Sequence, residues 1–213
     1  MILNSDTQIL TKIKKAKRGA LFFISDFAAF GKPDTIRQAL QRLVKSGEID
    51  RVSAGIFVRP QKDEIIGKVM PDIEDIAKAI ARRDRARIVP TGDYALNRLG
   101  LSTQVPMNIV YLTDGTARKV KIGNYTIVFK KIAPKNVAAI GEISRLAIQA
   151  LKTIGKENIT EREIKHIQSV LQNEKPTHLE YDIRLAPAWI QEIMKVALKN
   201  LSNKHNKKLS LNS

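Results

Sequence analysis

Apolar residues in the first sixty positions switch between helical and extended spacing. Ile9, Ile13 and Ala16 share one helical face behind Ser5 and Gln8, which have capping-box spacing, and Gly19 ends the helix after Lys17 and Arg18. Leu21-Phe22-Phe23-Ile24 reads as a short buried strand. Ser25 can cap a brief helix over 26–30, and Gly31 permits the left-handed turn that follows. Pro33 and Asp34 open a further helix, with Asp34 as its cap and Gly47 as its stop. At about 100° per residue, Ile36, Ala39, Leu40, Leu43 and Val44 fall on one arc of that helix. Thr35, Arg37, Gln38, Gln41, Arg42 and Lys45 fill the opposite arc, with no apolar residue and no acid among them. Two β-rich runs, 48–52 and 56–59, then flank the small turn Ser53-Ala54-Gly55 and predict a hairpin.

Helix, strand, helix, turn, helix and hairpin in this order predict a winged helix-turn-helix over residues 1–62. Any surface helix has a polar face, and most such faces are only solvated. An ordinary solvated face mixes both charges, however, and this one does not. Arg and Gln on it carry forked ends that match guanine O6/N7 and adenine N6/N7 in the major groove of double-stranded DNA. The hairpin reads as the wing, with Arg51, Ser53 and Arg59 as phosphate or minor-groove contacts. Arg51 has a plainer alternative, a salt bridge to Glu48 or Asp50.

Beyond Pro60-Gln61-Lys62-Asp63 the pattern predicts a larger α+β domain over 63–203. A helix is expected over 73–81, a strand over 86–90, and a short helix over 92–99 capped by Thr91. Strands around 108–113, 120–122 and 125–130, the last two joined by Gly123-Asn124, suggest a small antiparallel sheet. C-terminal helices follow over 142–153, after the Thr160/Glu163 cap, and over 188–201. Residues 204–213, with Lys204, Lys207 and Lys208 among Ser and Asn, read as a flexible basic tail.

Charge strengthens the nucleic-acid reading. The 213 residues carry 37 Lys plus Arg against 21 Asp plus Glu, a net charge of +16. Residues 1–62 hold 12 basic and 5 acidic side chains, and 63–213 hold 25 and 16, so the surplus is densest where the helix-turn-helix is expected. No apolar run approaches membrane-spanning length, and no segment has signal-peptide layout. Cysteine is absent, which excludes disulfides and thiolate chemistry and suits a cytoplasmic, nucleoid-associated protein. No catalytic, metal or cofactor site is expected. His166, His178 and His205 are scattered, and the only near carboxylate pairs are Glu74/Asp75 and Glu180/Asp182. Each pair reads more simply as a solvated helix turn or a strand edge. Aromatics, at 5%, form no stacking stripe for single-stranded bases.

Two blocks carry a family resemblance. Gly31-Lys32-Pro33-Asp34-Thr35-Ile36-Arg37-Gln38-Ala39-Leu40, with Arg42-Leu43, Gly47-Glu48-Ile49 and Gly55-Ile56-Phe57, resembles the winged helix of AbiEi-type antitoxins of type IV toxin–antitoxin systems. Ile88-Val89-Pro90-Thr91-Gly92-Asp93-Tyr94-Ala95-Leu96-Asn97, with 99–106 and Val110-Tyr111-Leu112-Thr113-Asp114-Gly115, is similar to that group's second-domain signature. The resemblance implies a repressor of its own operon, bound at inverted repeats in its promoter. It also implies that the second domain neutralises a co-encoded nucleotidyltransferase-like toxin without a stable complex. It carries over no catalytic residue. Two other readings stay open: a plain transcriptional regulator whose second domain senses a ligand or oligomerises, and a nuclease using Glu180 or Asp182.

Overall fold

A computed structural model describes residues 5–65 and 67–210, with side chains described through Asn203. The chain divides into two compact units, one of residues 1–80 with 120–124 and one of 81–119 with 125–213. The architecture is α+β. An N-terminal winged-helix module is followed by a mixed sheet and C-terminal helices.

In the first unit, helix α1 (Ser5–Lys15) buries Ile9 and Ile13, and strand β1 (Leu21–Phe23) leads into a 3-10 turn, Ile24–Phe30. Asp26, not Ser25, holds the start of that turn, accepting from the Phe23 N–H at 2.7 Å. Ser5 Oγ donates to the Phe30 carbonyl at 3.1 Å, so this side chain ties helix to turn. Helix α2 (Pro33–Lys45) has Lys32 at its cap and Pro33 at its first position. Asp34 therefore lies inside the first turn and is not the expected cap. A proline there loses no bond, because its N–H would lack a helical partner anyway.

Strands β2 (Asp50–Ser53) and β3 (Ile56–Val58) form the hairpin, and β1 joins β3 to give the order β1-β3-β2, antiparallel throughout. Gly55 turns the tip at φ 71°, where a side chain would be strained. A second, largely polar and exposed hairpin follows, β4 (Gln61–Asp63) with β5 (Gly67–Val69), at the seam the sequence pattern marked only as a boundary. Its short, charged strands bury nothing on β4, so no apolar alternation announces them. Lys68 Nζ reaches Asp50 Oδ1 at 2.5 Å.

After helix α3 (Ile73–Arg83), strand β6 (Ile88–Pro90) and helix α4 (Asp93–Arg98), the chain forms β7 (Asn108–Thr113), β8 (Arg118–Ile122) and β9 (Tyr125–Lys131). The sheet order is β6-β7-β9-β8, and β7 pairs with β9 in parallel, Asn108↔Thr126 through Thr113↔Lys131. The small sheet expected to be antiparallel is thus mixed, antiparallel at β6–β7 and parallel at β7–β9. The reason lies in side-chain character: β9 buries Ile127 and Phe129 and takes a central place, whereas β8 alternates exposed Lys119 and Lys121 and suits an edge. Gly92, rather than Thr91, stands at the cap of α4.

Helices α5 (Glu142–Ile154), α6 (Glu161–Leu171), α7 (Pro176–Ile183) and α8 (Ala188–Ser210) complete the second unit around Leu146, Ala147, Leu151, Ile167, Leu171, Leu179 and Ile190. The basic tail expected over 204–213 lies outside the residues whose side chains are described. Helix α6 begins with the expected box: Glu163 N–H bonds Thr160 Oγ1 at 3.3 Å, and Thr160 N–H bonds Glu163 Oε2 at 2.8 Å.

Helix α5 starts at Gly141 without a side-chain cap of its own. Two buried carboxylates from elsewhere take its orphan N–H groups. Asp182 accepts from Ile140 and Gly141 N–H at 2.8 Å each and from Ser144 Oγ. Glu174 accepts from Ile143 and Ser144 N–H at 2.7 and 3.2 Å. Negative charge at a helix N-terminus meets both unpaired donors and the positive dipole end. A Cβ on Gly141 would come within 2.5 Å of Glu174 Oε2, so only glycine fits.

Asp182→Ala should therefore lower the unfolding free energy by about 3 kcal/mol or more, by leaving buried donors unpaired. Glu180→Ala, which removes only an exposed ion pair with Arg184, should change it by about 0.5 kcal/mol or less. Urea unfolding followed by circular dichroism compares the two.

Candidate nucleic-acid interface

The candidate surface is the polar face of α2 and the adjoining hairpin. Ile36, Ala39, Leu40 and Leu43 point into a core with Ile9, Ile13, Phe22, Phe27, Ile49 and Phe57. Burying that stripe leaves Thr35, Arg37, Gln38, Gln41, Arg42 and Lys45 exposed, as the wheel predicts. Thirteen residues make a helix of about 20 Å, long enough to cross the roughly 12 Å major groove.

The nine candidate contacts fall into three groups. Arg37, Gln41, Lys45 and Arg51 line one groove of about 570 Å³ between α2 and the wing. Its floor is Ile24, Val44 and Phe57, and Ala54 and Gly55 form its rim at the wing tip. Thr35 and Gln38 are exposed on α2 outside this lining. Lys45 and Arg51 have no acidic partner among the described residues. The alternative for Arg51 does not form, because Asp50 is taken by Lys68 and Glu48 by Lys14 at 3.3 Å. Arg51 instead donates to the Ser53 carbonyl at 3.3 Å. Arg37 pairs with Asp34 at 2.5 Å across one exposed turn, a contact that water and salt weaken readily.

The other three residues serve the fold in this structure. Arg42 makes a bidentate pair with Asp6 of α1, 2.7 Å for each bond, and clamps the two helices. Arg59 donates to the Ala16 carbonyl, closing the end of α1 against the strand β3. Ser53 Oγ donates to the Lys121 carbonyl at 2.9 Å, within the same compact unit. The polar arc of α2 thus meets two acids: Asp34, which the structure puts inside the helix beside Arg37 rather than at its cap, and Asp6 of α1, a long-range partner that no local spacing could reveal. Ala54 and Gly55 went unnamed as contacts, although a small pair between two β-rich runs marks a tip that a surface could approach closely.

The Asp182 geometry bears on the nuclease alternative. Its carboxylate oxygens are occupied by backbone donors, while Glu180 pairs with Arg184 at 3.3 Å, so the two do not face one site. Among the described residues no group of three His, Cys, Asp or Glu could hold a metal ion, and no helix is long and apolar enough to cross a membrane.

A compact three-helix module with a two-stranded wing and an exposed basic helix face defines a winged-helix-like protein compatible with DNA binding. The chain belongs to DUF6088, a family of unknown function, which matches residues 8–179. Among solved structures, the RV2827C protein from Mycobacterium tuberculosis is similar, with a TM-score of 0.46 and 11% identity over 92% of this chain and 82% of that one. No curated protein matches.

The Arg42 hydrogen bond holds the Asp6 carboxyl below its ordinary 3.8. A carboxylate lowered in the folded state stabilises it above the unfolded pKa, and that contribution disappears as pH falls through the lowered value. Wild type should therefore exceed Asp6→Asn in stability above pH 3.8, and the difference should vanish in more acid solution. Urea midpoints measured from pH 6 down to about pH 2 test this; a difference that stayed constant would exclude the ion pair as its source.

Proposed function

We propose that the protein is a transcriptional regulator that binds double-stranded DNA through α2 and the wing. The carrying observation is the groove in which Arg37, Gln41, Lys45 and Arg51 converge without an acid among its lining residues. Gln41 and Arg37 read base edges, while Lys45 and Arg51 neutralise phosphates. Thr35 and Gln38 extend the contact along the helix. Arg42 and Arg59 act indirectly, by fixing α2 and the wing.

The finer reading is an AbiEi-type antitoxin that represses its own operon. Its second domain neutralises a nucleotidyltransferase-like toxin without forming a stable complex, and the protein acts by binding rather than catalysis. The sequence blocks 31–57 and 88–115 support this reading through their resemblance to that group.

Arg37→Ala and Gln41→Ala should each weaken binding to the duplex upstream of the gene by about 1–3 kcal/mol with folding intact. Lys45→Ala should weaken all duplexes alike and reduce the salt slope by about one. Fluorescence anisotropy across a salt series reads both effects. Full affinity in every variant would remove α2 as the reading helix.

For the antitoxin reading, the full-length triple variant Arg37→Ala/Gln41→Ala/Lys45→Ala should lose promoter repression yet still rescue cells expressing the neighbouring toxin. Paired reporter and growth assays measure the two activities. A folded variant that loses both would make protection depend on DNA binding.

A further inference from the structure

One face of α5 is polar in an otherwise apolar helix. Arg145, Gln149 and Lys152 follow one another at helical spacing with Ile148 between them, while Leu146, Ala147, Ala150 and Leu151 occupy the core. Lys135 and Asn136, on the 3-10 turn Pro134–Val137, close over this face. Together these residues line a recess of about 20 Å³, with Val89 and Ala139 in its walls. That volume admits about one or two water-sized groups.

Three cations line the recess and no acid does. None of Lys135, Arg145 and Lys152 has an ion-pair partner among the described residues. Arg145 Nε is buried without a hydrogen-bond acceptor and sealed from solvent, so the terminal guanidinium N–H groups are the donors that Arg145 offers to the recess. Gln149, only 5% exposed, has its Oε1 held by the Thr91 hydroxyl at 3.4 Å, which leaves its NH₂ group as a further donor. A recess rich in donors, positively charged and too small for a planar ring takes one or two oxygens of a tetrahedral oxyanion that sits at its mouth.

The geometry points to a binding site for a phosphate group in the second unit, held by Arg145 and Gln149 with Lys135 and Lys152 at the rim. Arginine supplies directed N–H donors to phosphate oxygens, and the rim lysines supply charge that needs no fixed geometry. The ligand is inorganic phosphate or the terminal phosphate of a small monoester, whose remainder projects into solvent because the recess holds only oxygens. This site is independent of the α2 face and gives the second unit a ligand to sense, beyond the DNA-binding reading.

The test is titration calorimetry on the full chain at constant ionic strength, with inorganic phosphate and glycerol 3-phosphate as separate probes. The expected result is saturable binding at one site, weakened about tenfold or more in both Arg145→Gln and Lys135→Gln and unchanged in Arg37→Ala. Lys135 is exposed, so its variant keeps the test meaningful if Arg145→Gln fails to fold. Tighter binding of the ester assigns the site to a monoester, and equal or tighter binding of inorganic phosphate assigns it to the free ion. Absence of saturation overturns the proposal, as does undiminished affinity in Lys135→Gln together with any folded Arg145→Gln. Loss confined to Arg37→Ala would put the anion on α2 and overturn it too. Displacement of bound phosphate by stoichiometric duplex DNA would assign the recess to a nucleic-acid backbone instead.

Discussion

The N-terminal unit depends on burying one apolar stripe of α2. Ile36, Ala39, Leu40 and Leu43 lose water against Ile9 and Ile13 of α1 and against Phe27, and this fixes the helix's rotation about its own axis. Once that rotation is fixed, the opposite arc faces solvent, and its cations and amides form a surface. The hairpin then completes the groove, because Phe57 joins the same core while Gly55 turns the chain back at the edge. Folding and the proposed recognition thus use two faces of one helix. The residues of the proposed contact surface are those the core has no use for.

Electrostatics refines this arrangement. Two of the cations, Arg42 on Asp6 and Arg59 on the Ala16 carbonyl, sit where α1 must be held to α2 and to β3. Lys45 and Arg51 have no acidic partner among the described residues. The second unit uses opposite charge for a similar purpose. Asp182 and Glu174 bring carboxylates to the start of α5, and their burial is tolerable because backbone N–H groups and Ser144 saturate them. These carboxylates come from α7 and the link before it, so the start of one helix is anchored by another element far along the chain.

Much of this was legible in the sequence. The spacing of Ile9 and Ile13, the arcs of α2, the small turn at Ala54-Gly55 and the Thr160/Glu163 box each encode local structure, because helix, hairpin and cap depend on residues a few positions apart. The largely polar, exposed β4–β5 hairpin was not legible, since it carries no apolar alternation. Helix α7 was missed for a related reason: Pro176 opens only eight residues, and its acids suggested a turn or an edge.

What the sequence alone determined is the winged-helix class of the first unit, its core, and which face of α2 remains polar; all three follow from periodicity. What only the tertiary structure decided is the use of each charged residue. Asp6 lies 36 positions from Arg42, and Asp182 lies 41 from Gly141, so neither pairing leaves a mark on local spacing. The parallel pairing of β7 with β9 belongs to the same class, because strand order depends on which strand buries more apolar surface when the sheet assembles. Local periodicity sets which side of an element faces water; long-range contacts set what each exposed charge meets there.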